Sequence, residues 1–153
     1  MSYEITKKTI EETPFLFVER KVKLSEISEG MGAMFGAVYQ YATSNGIAFA
    51  GCPLARYPDF CPDLITIQAG MPIVGECEGE GEIQVGALPG GPVASTIHQG
   101  PYDNLPQAHA AMKQWLEENS EEAGCAPWEV YLTDPSAVPN PADWKTEVVW
   151  PLK

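Results

Sequence analysis

The chain has 153 residues, 44% of them hydrophobic and 10% aromatic, with a formal net charge of −12. That composition excludes a disordered chain and supports a core that buries about 70% of the unfolded surface. The acidity argues against a nucleic-acid partner, which needs a basic patch, and against anionic membrane surfaces; it favours cations and solubility.

No apolar run reaches the roughly 20 residues of a membrane span. Met1-Ser2-Tyr3-Glu4 has no basic region followed by an apolar one, so no signal peptide is expected. Cys52, Cys61, Cys77 and Cys125 form no Cys-x-x-Cys pair, and His98 and His109 are not spaced with them as a zinc site would require. The expectation is a cytoplasmic protein with reduced thiols, no metal and no cofactor. A Cys52–Cys61 bridge stays open as an alternative.

In chain order, residues 3–10 and 14–24 read as extended, with Thr13-Pro14 as a break or bulge between them. From Ser25 the period changes. Ser25-Glu26 and Ser28-Glu29 offer N-cap chemistry, and Met31, Met34, Phe35, Val38 and Ala42 recur at helical spacing up to the stop Asn45-Gly46. Residues 52–58 and 64–73 read as two strands. The stretch Gly75 to Gly81, with three acids and three glycines, is a solvated loop.

The second half repeats this order. Residues 82–88 and 92–99 are extended. Asp103 to Ala123 is helical, with Leu105, Ala108, Met112, Trp115 and Leu116 on one face, Pro106 in the first turn, a cap from Asp103 or Asn104, and Gly124 as the stop. Residues 128–133 and 145–152 are strands joined through the proline-rich segment 134–141.

The halves also agree position by position. A shift of 78 pairs Glu4-Ile5 with Glu82-Ile83 and Pro14 with Pro92. A shift of 74 pairs Met31, Met34, Val38, Tyr41 and Ala42 with Leu105, Ala108, Met112, Trp115 and Leu116, and Pro53 and Tyr57 with Pro127 and Tyr131. A shift of 79 pairs residues 68–73 with 147–152. The pattern implies an α+β fold made by tandem duplication of a strand–helix–strand–strand (SHS2-like) unit, with pseudo-repeats 1–74 and 80–153 in one domain spanning 1–153. Each unit begins with a long strand broken near its proline. The units would form an antiparallel sheet carrying both helices, with a central pocket between helices and sheet.

Within this frame the stretch Pro127-Trp128-Glu129-Val130-Tyr131 stands out: a carboxylate in an apolar strand. Its counterpart under the repeat is Ala55, so the acid belongs to one half only. A buried carboxylate is costly unless it is put to use, as a counter-charge for a cation or as a base that orients water. The bland alternative is a solvent-facing strand residue. Alternation puts Glu129 and Tyr131 on one face and Trp128 and Val130 on the other, so if Trp128 faces the helices, Glu129 faces away. His98, at a strand end, is read as structural. His109, matched to Phe35, is read as a packing or surface residue.

Three blocks together resemble the GyrI-like small-molecule-binding domain, which also serves as the effector-binding part of some AraC-type and MerR-type regulators. They are His98-Gln99-Gly100-Pro101-Tyr102-Asp103, Trp128 to Pro135, and Thr146 to Leu152. The resemblance covers essentially the whole chain. It implies a central pocket for lipophilic, often cationic aromatic compounds, with Glu129 as the pocket glutamate. Walls are expected from Tyr102, Trp128, Tyr131, Trp144 and Trp150 in this half and Phe35, Tyr39 and Tyr57 in the other. Gln68 stands where relatives often carry an acid. No helix-turn-helix is left over beside the two units, so a stand-alone binding module that sequesters or senses such compounds is expected. Some members resembling this one are hydrolases of cyclopropane-containing natural products; that alternative would use Glu129 as base and Tyr102 or Tyr131 as donor to an oxyanion. A gyrase-inhibitor-type module that docks on another protein ranks below both.

Overall fold

The computed structural model describes residues 3–60, 64–75, 77–101, 104–124, 126–133 and 137–153. Two compact units emerge: a first one, Glu12–Pro89, and a second one, Met1–Glu11 together with Gly90–Lys153. The architecture is α+β, as the duplication requires.

The first unit holds β2 (Thr13–Lys23), α1 (Ile27–Ser44), β3 (Leu54–Phe60), β4 (Leu64–Pro72) and β5 (Ile83–Leu88). Its strands run antiparallel in the order β3-β4-β2-β5. The second unit holds β1 (Thr6–Ile10), β6 (Gly91–Gln99), α2 (Leu105–Glu118), β7 (Trp128–Tyr131) and β8 (Lys145–Pro151). Its strands run antiparallel in the order β1-β6-β8-β7.

One difference from the expected repeat concerns the leading strands. The break before each proline is where the chain passes from one unit to the other: β1 pairs with β6, and β5 pairs with β2. Each unit therefore takes its outer strand from the other half of the sequence. A strand's own residues fix its face alternation but not its partner, so the sequence pattern could not show this exchange.

Of the stripe read from the sequence, helix α1 buries Met34, Val38 and Ala42 and leaves Met31 and Phe35 half-buried. No serine caps it. A 3-10 turn, Leu24–Glu26, leads in, and Glu26 occupies the cap position without a side-chain bond. The far end closes as expected: Gly46 adopts φ 66° and Ile47 N–H donates to the Ala42 carbonyl at 2.9 Å.

Helix α2 buries Leu105, Ala108, Met112 and Leu116, with Pro106 in its first turn. Its cap residue is Asn104, whose side chain makes no cap bond, while Asp103 lies outside the described residues. The helix stops at Glu118, short of the expected end at Ala123. Ser120 takes the left-handed conformation at φ 55°, and Glu121 N–H donates to the Leu116 carbonyl at 2.9 Å. This is the closure used at Gly46, and Ser120 is the matching position. Gly124 instead serves the sheet side: its N–H donates to the Pro151 carbonyl at 2.8 Å. A Cβ there would sit 2.9 Å from the Leu152 carbonyl oxygen.

In the second unit α2 packs on Ala94, Val148 and Leu152, with Tyr3, Ile5, Trp115 and Trp150 around them. Tyr3 is held there by His98. The His98 Nε2–H donates to the Pro101 carbonyl at 3.1 Å, so Nδ1 accepts the Tyr3 hydroxyl at 2.9 Å. Burial pushes the Tyr3 hydroxyl up from its ordinary value, which keeps it a donor. Cys52 and Cys77 are free thiols, while Cys61 and Cys125 lie outside the described residues. No described helix is long and apolar enough to cross a membrane.

Candidate functional site

The register of β7 against β8 settles which way the acid points. Glu129 stands opposite Val148 and Tyr131 opposite Thr146. Directly opposed residues share a face, and Val148 belongs to the cluster under α2. Glu129 and Tyr131 therefore face the helix. Trp128, opposite Val149, faces the other way and is 2% exposed. The sequence had left both orientations open, because both faces of β7 are buried and alternation alone does not rank them.

Four side chains from three elements meet there. The Tyr131 hydroxyl donates to Glu129 Oε1 at 2.9 Å. His109 Nε2, from α2, lies 2.7 Å from Glu129 Oε2. The Trp150 indole N–H, from β8, donates to His109 Nδ1 at 3.0 Å. An indole N–H can only donate, so Nδ1 must accept and the imidazole carries its proton on Nε2. The contact to Glu129 is thus a hydrogen bond from a neutral imidazole to a carboxylate. Both oxygens of a carboxylate whose side chain is 7% exposed are thus held by donors. Beside this group lies Thr146, whose fully buried hydroxyl has no hydrogen-bond partner among the described residues.

His109 is the member that sequence reasoning missed. A signal existed: at shift 74 it replaces the apolar Phe35 as Glu129 replaces Ala55, so the two polar departures fall at matched positions of one half.

The other sequence candidates are placed differently. Tyr102 lies outside the described residues. The structure does not bring Trp128 to the carboxylate, for the reason of register just given. Trp144 is tied to its own loop by an indole bond to the Val138 carbonyl at 2.7 Å, and its carbonyl accepts from Gly100 N–H at 2.8 Å. Phe35, Tyr39, Tyr57 and Gln68 belong to the first unit. Tyr39 is 57% exposed, with its ring 5.9 Å from that of Phe49. Gln68 is buried in a polar row across three strands: Arg56 Nε donates to its Oε1 at 2.8 Å, and its Nε2 donates to Glu19 at 2.7 Å. Among the described residues no group of three or more His, Cys, Asp or Glu is arranged to hold a metal ion.

The model of the GyrI-like small molecule binding domain matches residues 3–153. No curated protein matches the sequence at a significant level. Among solved structures, the chain is similar to the C-terminal domain of EcmrR, with a TM-score of 0.81 and 21% identity over 100% of this chain and 99% of that one. It is also similar to EcmrR in a complex with DNA (TM-score 0.86, 22% identity), where it covers 100% of its own length but 58% of that chain. A hydrolase from Listeria innocua superposes with a TM-score of 0.68 at 14% identity over 99% of this chain and 93% of that one. SAV2435 bound to tetraphenylphosphonium gives 0.66 at 10% identity over 100% and 94%. At these identities the likenesses show the fold.

Proposed function

The chain belongs to the GyrI-like small-molecule-binding domain family, and from that premise we propose that the second unit binds lipophilic, aromatic, cationic small molecules through Glu129. The observation that carries this reading is the carboxylate held between the Tyr131 hydroxyl and the neutral His109 imidazole. A small, strongly hydrated cation would lose too much water to enter such a place. A large cation with spread charge is cheaply dehydrated and gains Coulomb attraction to Glu129. The faces of Trp150 and Tyr131 add roughly 0.5–2 kcal/mol per good cation–aromatic contact. The net charge of −12 raises the local concentration of such ligands.

The test is a titration with tetraphenylphosphonium, followed by calorimetry, on wild type and Glu129→Gln. We expect the substitution to weaken binding at least tenfold while thermal unfolding stays cooperative. Equal affinities would remove the carboxylate from the site.

A second reading, hydrolysis of electrophilic cyclopropane compounds, is favoured by the Tyr131–Glu129 bond, which puts a base and a hydroxyl donor 2.9 Å apart. Glu129 would take a proton from the water as its oxygen bonds to a ring carbon; the strained ring C–C bond would break, its electron pair would pass to a carbonyl oxygen conjugated with the ring, and Tyr131 would turn to donate to that developing oxyanion. Binding ranks first because that turn gives up a hydrogen bond already made. Product formation that disappears in Glu129→Gln would reverse the ranking.

A further inference from the structure

We propose that His109 is the positioning residue that sets the charge selectivity of the site: a donor to Glu129 that adds no charge of its own. The inference rests on the reading of Glu129 as a counter-charge and extends it to a residue on another element. Three geometric facts support it. Trp150 Nε1 is 3.0 Å from His109 Nδ1. His109 Nε2 is 2.7 Å from Glu129 Oε2. The two rings lie 5.9 Å apart at 47°, an edge approach in which the indole N–H meets the imidazole nitrogen.

A ring protonated on both nitrogens would point an N–H at the indole N–H, so the indole holds the imidazole in its neutral form. This matters because the alternatives at this position behave differently. A lysine or arginine would also hold Glu129, but as an ion pair that cancels its charge and removes the reason for a cation to bind. An apolar residue, as Phe35 is at the matching place in the first unit, would leave Oε2 without this donor. A neutral imidazole satisfies the oxygen and leaves its charge in place.

The ring's burial strengthens the argument. His109 keeps 23% of its side chain exposed and Glu129 7%, so the donor comes from the more solvated partner and the acceptor is the one that needs it. Trp150 fixes the ring from β8 and α2 carries it, so its orientation is set by two elements other than the one that bears Glu129.

The experiment has two arms. The first is nitrogen NMR of the imidazole in the free protein at neutral pH. The expected spectrum shows a single proton on His109, on Nε2, and in Trp150→Phe a mixture of both tautomers. A doubly protonated ring, or a proton on Nδ1 in wild type, would overturn the assignment. The second arm compares tetraphenylphosphonium with the neutral triphenylphosphine oxide. His109→Gln, which restores a neutral N–H at the same reach, should bind the cation within about threefold of wild type. His109→Lys should lose at least tenfold for the cation and little for the neutral compound. Equal loss of both probes in His109→Lys, or a tenfold loss of the cation in His109→Gln, would make His109 a packing residue and sink the proposal. If wild type binds neither probe, it is the reading of Glu129 as a ligand site that fails, and the NMR arm still decides the state of the ring.

Discussion

Three neighbouring positions across each sheet make the sharpest comparison between the two units. In the first unit they are Val18, Ala69 and Ala55; in the second they are Thr96, Val148 and Glu129. On the helix above, Phe35 stands where the second unit has His109, and on the strand below, Met71 stands where it has Trp150. One frame thus carries an apolar row in one copy and a hydrogen-bonded cluster in the other. The lesson is that a buried acid enters such a frame only in company. Glu129 alone at the place of Ala55 would be an unsatisfied buried charge; with His109, Tyr131 and Trp150 each polar group meets its complement. The opposite faces differ in another way. Phe17 and Leu54 flank Gly70 in the first unit, while Ser95 and Trp128 flank Val149 in the second. Bulk has moved from one strand to another, and the glycine marks where it left.

The largest effect expected from breaking this comparison is at Gly70. A Cβ there would collide with the Leu16 carbonyl oxygen and sit 2.7 Å from Phe17 Cα, both backbone atoms that cannot step aside. Gly70→Ala should cost about 3 kcal/mol or more in urea unfolding, although the matching position of the second unit carries a valine. Next comes a cycle that converts the second unit toward the first, with Glu129→Ala and His109→Phe singly and together. Each single change leaves a partner without its bond, so the double variant should be more stable than the sum of the two by about 1–3 kcal/mol. Strict additivity would mean that the cluster is not coupled.

Trp150→Phe keeps an aromatic ring but removes the pyrrole half of the indole together with its N–H to His109. A loss of about 1–2 kcal/mol in chemical denaturation is expected. The smallest effect concerns the helix ends. Gly46 and Ser120 both take the left-handed conformation at matched positions, but serine pays for its Cβ there. Ser120→Gly should therefore raise stability by roughly 0.5–1 kcal/mol, and Gly46→Ser should lower it by about as much; thermal melts of the two variants measure the pair.

The sequence by itself determined the duplication, the two helices and most strands, because each rests on local signals: a period of 3.6 or 2, a proline, a glycine stop. Met34, Val38 and Ala42, and their counterparts Ala108, Met112 and Leu116, were legible as buried stripes for that reason. Glu129 was legible as an exception, since a carboxylate in an apolar strand conspicuously lacks a match in Ala55. What the tertiary structure alone decided is everything that depends on a partner far along the chain. The exchange of β1 and β5 between units is one case, because a strand's pattern names a face and not a neighbour. The orientation of Glu129 is another: with both sides of β7 buried, only its register against β8 tells which residues look at α2. His109 is the third. Twenty positions before Glu129 and forty-one before Trp150, it looked like one more residue on a helix, and only folding brought the carboxylate and the indole to its two nitrogens.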